Sequence, residues 1–214
     1  MEKKPNNTLE LRCEGCELRL ASRQEGSSEK SRTIVGYAAK FDRWSDPIGG
    51  WFREKIDPSA FRDTDMADVV MCFNHDVSAI LARSGSGTLR LGVDETGLRF
   101  EFDAPDTGLG NDMLELVRRG DISKCSFAFV VDRDEWRYAD SKNGLEMDER
   151  TILHVSELRD VSLVTFPAYP DTEAGVRSLE ERKAEWLASQ NTPKTDNGSS
   201  SRERTARVLS LKAK

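Results

Sequence analysis

Gly120-Asp-Ile-Ser-Lys-Cys-Ser-Phe-Ala-Phe129 places a helix end, a short polar turn and the start of an apolar strand in immediate succession. Arg118 and Arg119 suit the negative end of a helix, and Gly120 can take the left-handed stop. In the strand that follows, successive side chains point to opposite faces, so Cys125, Phe127 and Phe129 share one face and Ser126, Ala128 and Val130 the other. Ser126 thus has a small neighbour, which leaves room for a substrate carbonyl. A hydroxyl is a weak nucleophile by itself and needs a base, with an orienting acid behind it. The sequence holds only two histidines, His75 and His154. Without such partners Ser126 is an ordinary strand serine.

Upstream, the spacing of Met113, Leu114, Leu116 and Val117 predicts a helix from about Asn111 to Arg119. Before it, Thr88-Leu-Arg-Leu-Gly-Val93 and Leu98-Arg-Phe-Glu-Phe-Asp103 flank Asp94-Glu-Thr-Gly97, a hairpin signature. Asp68-Val-Val-Met-Cys-Phe73 reads as a buried strand ending at Asn74-His75-Asp76, so His75 is held by a rigid element at the lip of a cleft. Thr33-Ile-Val-Gly-Tyr-Ala-Ala-Lys-Phe41 and Trp51-Phe-Arg-Glu-Lys-Ile56 are further strands, and Asp57-Pro58-Ser59 opens a short helical turn containing Phe61. Leu9–Cys13 and Glu17–Ala21 alternate around Glu14-Gly15 as a first hairpin, followed by a polar loop over 22–32.

Downstream, Asp132 to Arg150 is a polar excursion. Ile152 to Phe166 then reads as one long strand or two bent ones. A regular pleat puts His154, Ser156, Leu158, Asp160 and Ser162 on one face, with Val161, Leu163 and Thr165 on the other. Asp160 on such a strand is costly to bury without a partner. Ser178-Leu-Glu-Glu181 is a capping-box pattern opening a helix to about Ser189. From Gln190 the composition is that of a linker, ending in a basic segment where Arg202, Arg204, Arg207, Lys212 and Lys214 outnumber Glu203. That tail reads as a solvated tether able to reach an acidic partner.

The 214 residues suffice for one domain with tails, and 33% charged against 37% hydrophobic residues is polar for a compact globule. A net charge of −6 argues against nucleic-acid or membrane-surface binding by the chain as a whole. No apolar run approaches a membrane span, and no secretory leader is visible, so a cytoplasmic location is expected. The four cysteines are expected as free thiols in a reducing compartment. Cys13-x-x-Cys16 could form half of a zinc site, but no second pair completes it.

In order along the chain, Gly36-Tyr-Ala-Ala-Lys-Phe41, Phe73-Asn-His-Asp76, Ser86-Gly-Thr-Leu-Arg-Leu91, Gly120–Phe129 and Asp160-Val-Ser-Leu-Val-Thr-Phe-Pro-Ala-Tyr-Pro170 resemble the prohead maturation proteases of tailed bacteriophages, which share a fold with the herpesvirus assemblins. The resemblance spans about Thr33 to Thr172. It implies a mainly β, α+β fold with an assemblin-like β-barrel core and peripheral helices. The expected organisation is an N-terminal hairpin and loop over 1–32, a protease core over 33–175, a helix over 176–189 and a basic tail over 190–214. It further implies a serine endopeptidase with Ser126 as nucleophile and His75 as base. The phage family more usually shows glutamate where this chain has Asp160, one methylene shorter, whereas assemblins use a second histidine, here His154. Asp160 matches the phage motif and is the expected third member.

The implied substrates are the major capsid or scaffold protein of a procapsid and the protease itself, within the assembling shell in the host cytoplasm. No cofactor or metal is implied, and a homodimer is left open. Two other classes fit less of the sequence: a non-catalytic procapsid component that kept the fold, and a cysteine- or metal-dependent hydrolase using Cys125 or Cys13/Cys16.

Overall fold

The computed structural model describes residues 9–13, 17–21, 31–140 and 144–166. The expected helix over 176–189, the basic tail and Cys16 lie outside the described residues. The elements are β1 (Leu9–Arg12), β2 (Glu17–Leu20), β3 (Thr33–Lys40), β4 (Phe52–Ile56), β5 (Val70–Phe73), β6 (Asp76–Arg83), β7 (Leu89–Val93), β8 (Gly97–Asp103), α1 (Gly108–Arg119), β9 (Lys124–Arg137) and β10 (Asp148–Val164). The fold is mainly β, with a curled half-barrel sheet and one α-helix among the described residues.

β10 is the spine of this arrangement. One edge pairs antiparallel with β9 along nearly its whole length, and the other pairs parallel with β4 over Asp148–Ile152 and with β5 over Asp160–Leu163. The larger sheet therefore runs β1-β9-β10-β5-β6, with β4 also joined to β10, while β2-β3-β8-β7 forms a second sheet. Both sheets contribute to one core that includes Ile34, Phe100, Phe102, Met71, Phe127, Phe129 and Leu163, all of them fully buried. Phe127 and Phe129 stack with ring centroids 4.6 Å apart. Each such side chain contributes about 1.5–3 kcal/mol by leaving water.

Several sequence expectations change here. The N-terminal hairpin does not form: β1 pairs with β9 in the larger sheet and β2 with β3 in the smaller one. Alternating residues specify strands but not partners: in β2 Leu18 and Leu20 pack against the core, whereas in β1 it is Arg12 that is buried while Leu9 is exposed. The segment around Phe61 is a run of turns rather than helix, held by Ala60 N–H to Asp57 O and Arg62 N–H to Ser59 O. The helix begins at Gly108, three residues before Asn111, with Thr107 as its cap accepting from Gly110 N–H at 3.1 Å. Glycine's poor helix propensity hides that first turn. Gly110 is nonetheless required, since a Cβ there would lie 2.0 Å from Pro105 O. Gly120 ends the helix at φ 82°, as expected.

The polar excursion is also ordered in part. β9 continues to Arg137 and β10 begins at Asp148, so Glu149 pairs with Arg137 on one edge and with Arg53 of β4 on the other in a charged extension. Its base holds an ion cluster. Fully buried Glu54 accepts from Arg12 and, at 3.1 Å, from Arg150 Nη1, while Arg150 also reaches Glu10 at 2.6 Å and Asp134 at 2.9 Å. Burial works against the charge on Arg150, but Glu10, Glu54 and Asp134 outweigh it and raise its pKa. The cluster ties β1, β4, β9 and β10 together.

Candidate active site

The β9–β10–β5 ladder sets the site. Ser162 of β10 stands opposite Ser126 of β9 on one side and Cys72 of β5 on the other. One step along, Asp160 stands opposite Ala128 and Val70. Because side chains two apart share a face, Ser126, Asp160, Ser162 and Cys72 form one polar patch on the face away from Phe127 and Phe129. The expected alternation in β9 holds.

In β10 it does not hold. Register shifts interrupt the ladder between Ile152 and His154, His154 and Val155, Val155 and Glu157, and Leu158 and Asp160. Each bulge changes which face the following residues take. Val155, Leu158 and Val161 therefore all enter the core, and Leu158 leaves the face it was expected to share with Asp160.

His75 comes from the β5–β6 hairpin. Phe73 pairs with Asp76, so Asn74 and His75 are the two loop residues, with φ of 51° and 59°. Positive φ at both is the requirement of a type I′ turn, and Asn meets it readily. Histidine does so at a cost of roughly 1–2 kcal/mol. The end of β10 offsets that cost. Asn74 N–H donates to Leu163 O at 2.9 Å, Thr165 N–H to Asn74 Oδ1 at 3.0 Å, and His75 N–H to Ser162 Oγ at 3.1 Å. At about 0.5–1.5 kcal/mol net for each hydrogen bond, these hold the turn over the patch.

The imidazole bridges the patch. His75 Nδ1 lies 2.7 Å from Asp160 Oδ1, and Nε2 lies 2.7 Å from Ser126 Oγ. An ionised carboxylate can only accept, which puts the ring proton on Nδ1 and leaves the Nε2 lone pair to accept from the Ser126 hydroxyl. Asp160, despite its shorter side chain, spans the distance. His154 does not take part: its Nδ1 meets Asp132 Oδ1 at 2.6 Å. Ser126 is 0% exposed, so a substrate carbonyl reaches its Oγ only after the covering atoms move, and the open space expected from its small neighbour is absent.

Cys125 points to the core face and is disulfide-bonded, which corrects the free-thiol expectation there and removes a thiolate nucleophile at that position. Linear spacing gives no sign of which cysteines a fold brings together. Cys72 is a free thiol, buried against Ser162 with Sγ 3.0 Å from its Oγ. Burial, with the nearby Asp160 and Asp76 carboxylates adding to it, pushes it up to about 11, so it is protonated at neutral pH. Among the described residues no group of three or more His, Cys, Asp or Glu is arranged to hold a metal ion.

A family model for the caudovirus prohead serine protease matches residues 18–185, a span that includes every element from β3 to β10. The chain belongs to that family. Membership implies a serine peptidase of phage procapsid maturation in general terms. No curated protein and no solved structure matches the chain. Among the described residues of this prohead-protease family member, no helix is long and apolar enough to cross a membrane. Ser162, Asn74 and Cys72 were not singled out as site residues in the sequence. The signal for Ser162 was present, since it sits two residues beyond Asp160 and shares its face.

Proposed function

We propose that this prohead-family chain is a serine endopeptidase in which Ser126 is the nucleophile, His75 the general base and Asp160 the orienting acid. The hydrogen-bonded series Asp160–His75–Ser126 is the observation that carries this reading. Nε2 takes the Ser126 proton as Oγ attacks the peptide carbonyl, and the imidazolium so formed is stabilised by Asp160 across the Nδ1 hydrogen bond. The proton then passes to the leaving amine. Water repeats the sequence to release the acyl group from Ser126 and restore the hydroxyl. Backbone donors to the developing oxyanion commonly contribute about 3–4 kcal/mol each to such a reaction.

The substrates in this reading are the major capsid or scaffold protein of the immature shell, together with the protease itself, and the mainly β core is the assemblin-like fold. Mapping the adduct of an alkyl fluorophosphonate by peptide mass spectrometry tests the assignment. The adduct is expected on Ser126 and to disappear in His75→Ala. Labelling at another serine, with Ser126 unmodified, would refute it.

A further inference from the structure

We propose that Ser162 is a positioning residue for this reaction, an inference that rests on the triad reading above. Its hydroxyl is fully buried and lies at a junction of groups that must keep their relative places. The His75 backbone N–H can only donate, so at 3.1 Å Ser162 Oγ must accept from it. The Ser162 proton is therefore directed to Asp160 Oδ1, 2.8 Å away. Cys72 Sγ, 3.0 Å from Ser162 Oγ, supplies a thiol donor to the remaining lone pair of that hydroxyl.

One side chain thus holds the backbone of the base and the carboxylate of the orienting acid, and it stands in register with the nucleophile. His75 sits at the tip of a two-residue turn, where no strand neighbour fixes its backbone amide. Ser162 supplies that fixed point from the next strand, and the same atom sets the carboxylate that the imidazole must face. Without it, Asp160 keeps, among the described residues, only the hydrogen bond to His75, and both can rotate together away from Ser126. A displacement of about 1 Å at a reacting centre can cost on the order of 100-fold in rate.

The test compares Ser162→Ala, Ser156→Ala and Ser126→Ala in the full chain, with an alkyl fluorophosphonate as probe and the maximal labelling rate and half-saturating concentration read separately. Ser156 lies on the same strand but donates to Val130 O at 3.2 Å, and its replacement should leave labelling unchanged. Ser162→Ala should lower the maximal rate by about 10- to 100-fold with the half-saturating concentration altered by less than about twofold, the pattern of lost geometry at the reacting atoms rather than lost binding. Wild-type labelling by Ser162→Ala, with none by Ser126→Ala, overturns this inference alone. Labelling that persists in Ser126→Ala overturns the triad beneath it. If Ser162→Ala fails to fold, amide hydrogen exchange in the wild-type chain decides: the His75 N–H should be protected despite its place at a turn tip, and exchange at the rate of an open loop contradicts the proposal.

Discussion

His75 Nδ1 and Asp160 Oδ1 are 2.7 Å apart, although one residue belongs to a hairpin turn and the other to the central strand of the sheet. This contact separates the two candidates for the third position by distance, since His154 faces Asp132 instead. Asp160→Asn should keep the shape but favour the wrong imidazole tautomer, and a loss of up to about 10⁴-fold in kcat is expected. His154→Ala should leave kcat within about twofold, because it removes a group that touches neither His75 nor Ser126. Steady-state kinetics on a cleaved procapsid peptide check both, and the reverse ranking would transfer the role to His154.

His75→Ala should be as damaging as Ser126→Ala, and the double variant hardly worse, because groups that act as a unit do not contribute additively. Single-turnover rates of the three variants check this, and a double variant far slower than either single one would contradict it.

Cys72 lies beside the site but is held protonated, its thiol pushed up to about 11 by burial. Its thiolate fraction at pH 8 is on the order of one in a thousand, so iodoacetamide should neither label native Cys72 nor slow cleavage. Rapid inactivation that is abolished by Cys72→Ser would show that the thiol is open and reactive.

The strands with plain alternation were legible in the sequence, as the β7–β8 hairpin, the β9 faces and the Gly120 helix stop show. The three side chains that meet here, His75, Ser126 and Asp160, were also named in the sequence, through the motifs that carry the resemblance. The bulges of β10 were not legible, since they arise where one strand must serve β9 on one edge and both β4 and β5 on the other. Partner choice for β1 and β2 was hidden for a similar reason: a four-residue strand carries no register information beyond its own alternation. The ordered charges of Asp132–Arg137 and Asp148–Arg150 read only as a polar excursion because the sequence does not show that Glu54, Arg12 and Glu10 come to meet them.

That cluster makes a separate prediction. Glu54→Ala leaves Arg12 and Arg150 buried without their shared carboxylate, and breaking such a buried pair typically costs about 3–5 kcal/mol. Equilibrium denaturation should show this loss. A cost below about 1 kcal/mol would place the cluster among weak surface pairs.

The central claim is that Ser126 performs the cleavage, and intact-mass spectrometry of the major capsid protein in assembled shells tests it most directly. Shells formed with the wild-type chain should contain capsid protein shortened at a defined bond, while shells formed with Ser126→Ala should contain only the full-length protein. Shortened capsid protein in the Ser126→Ala shells would contradict the account.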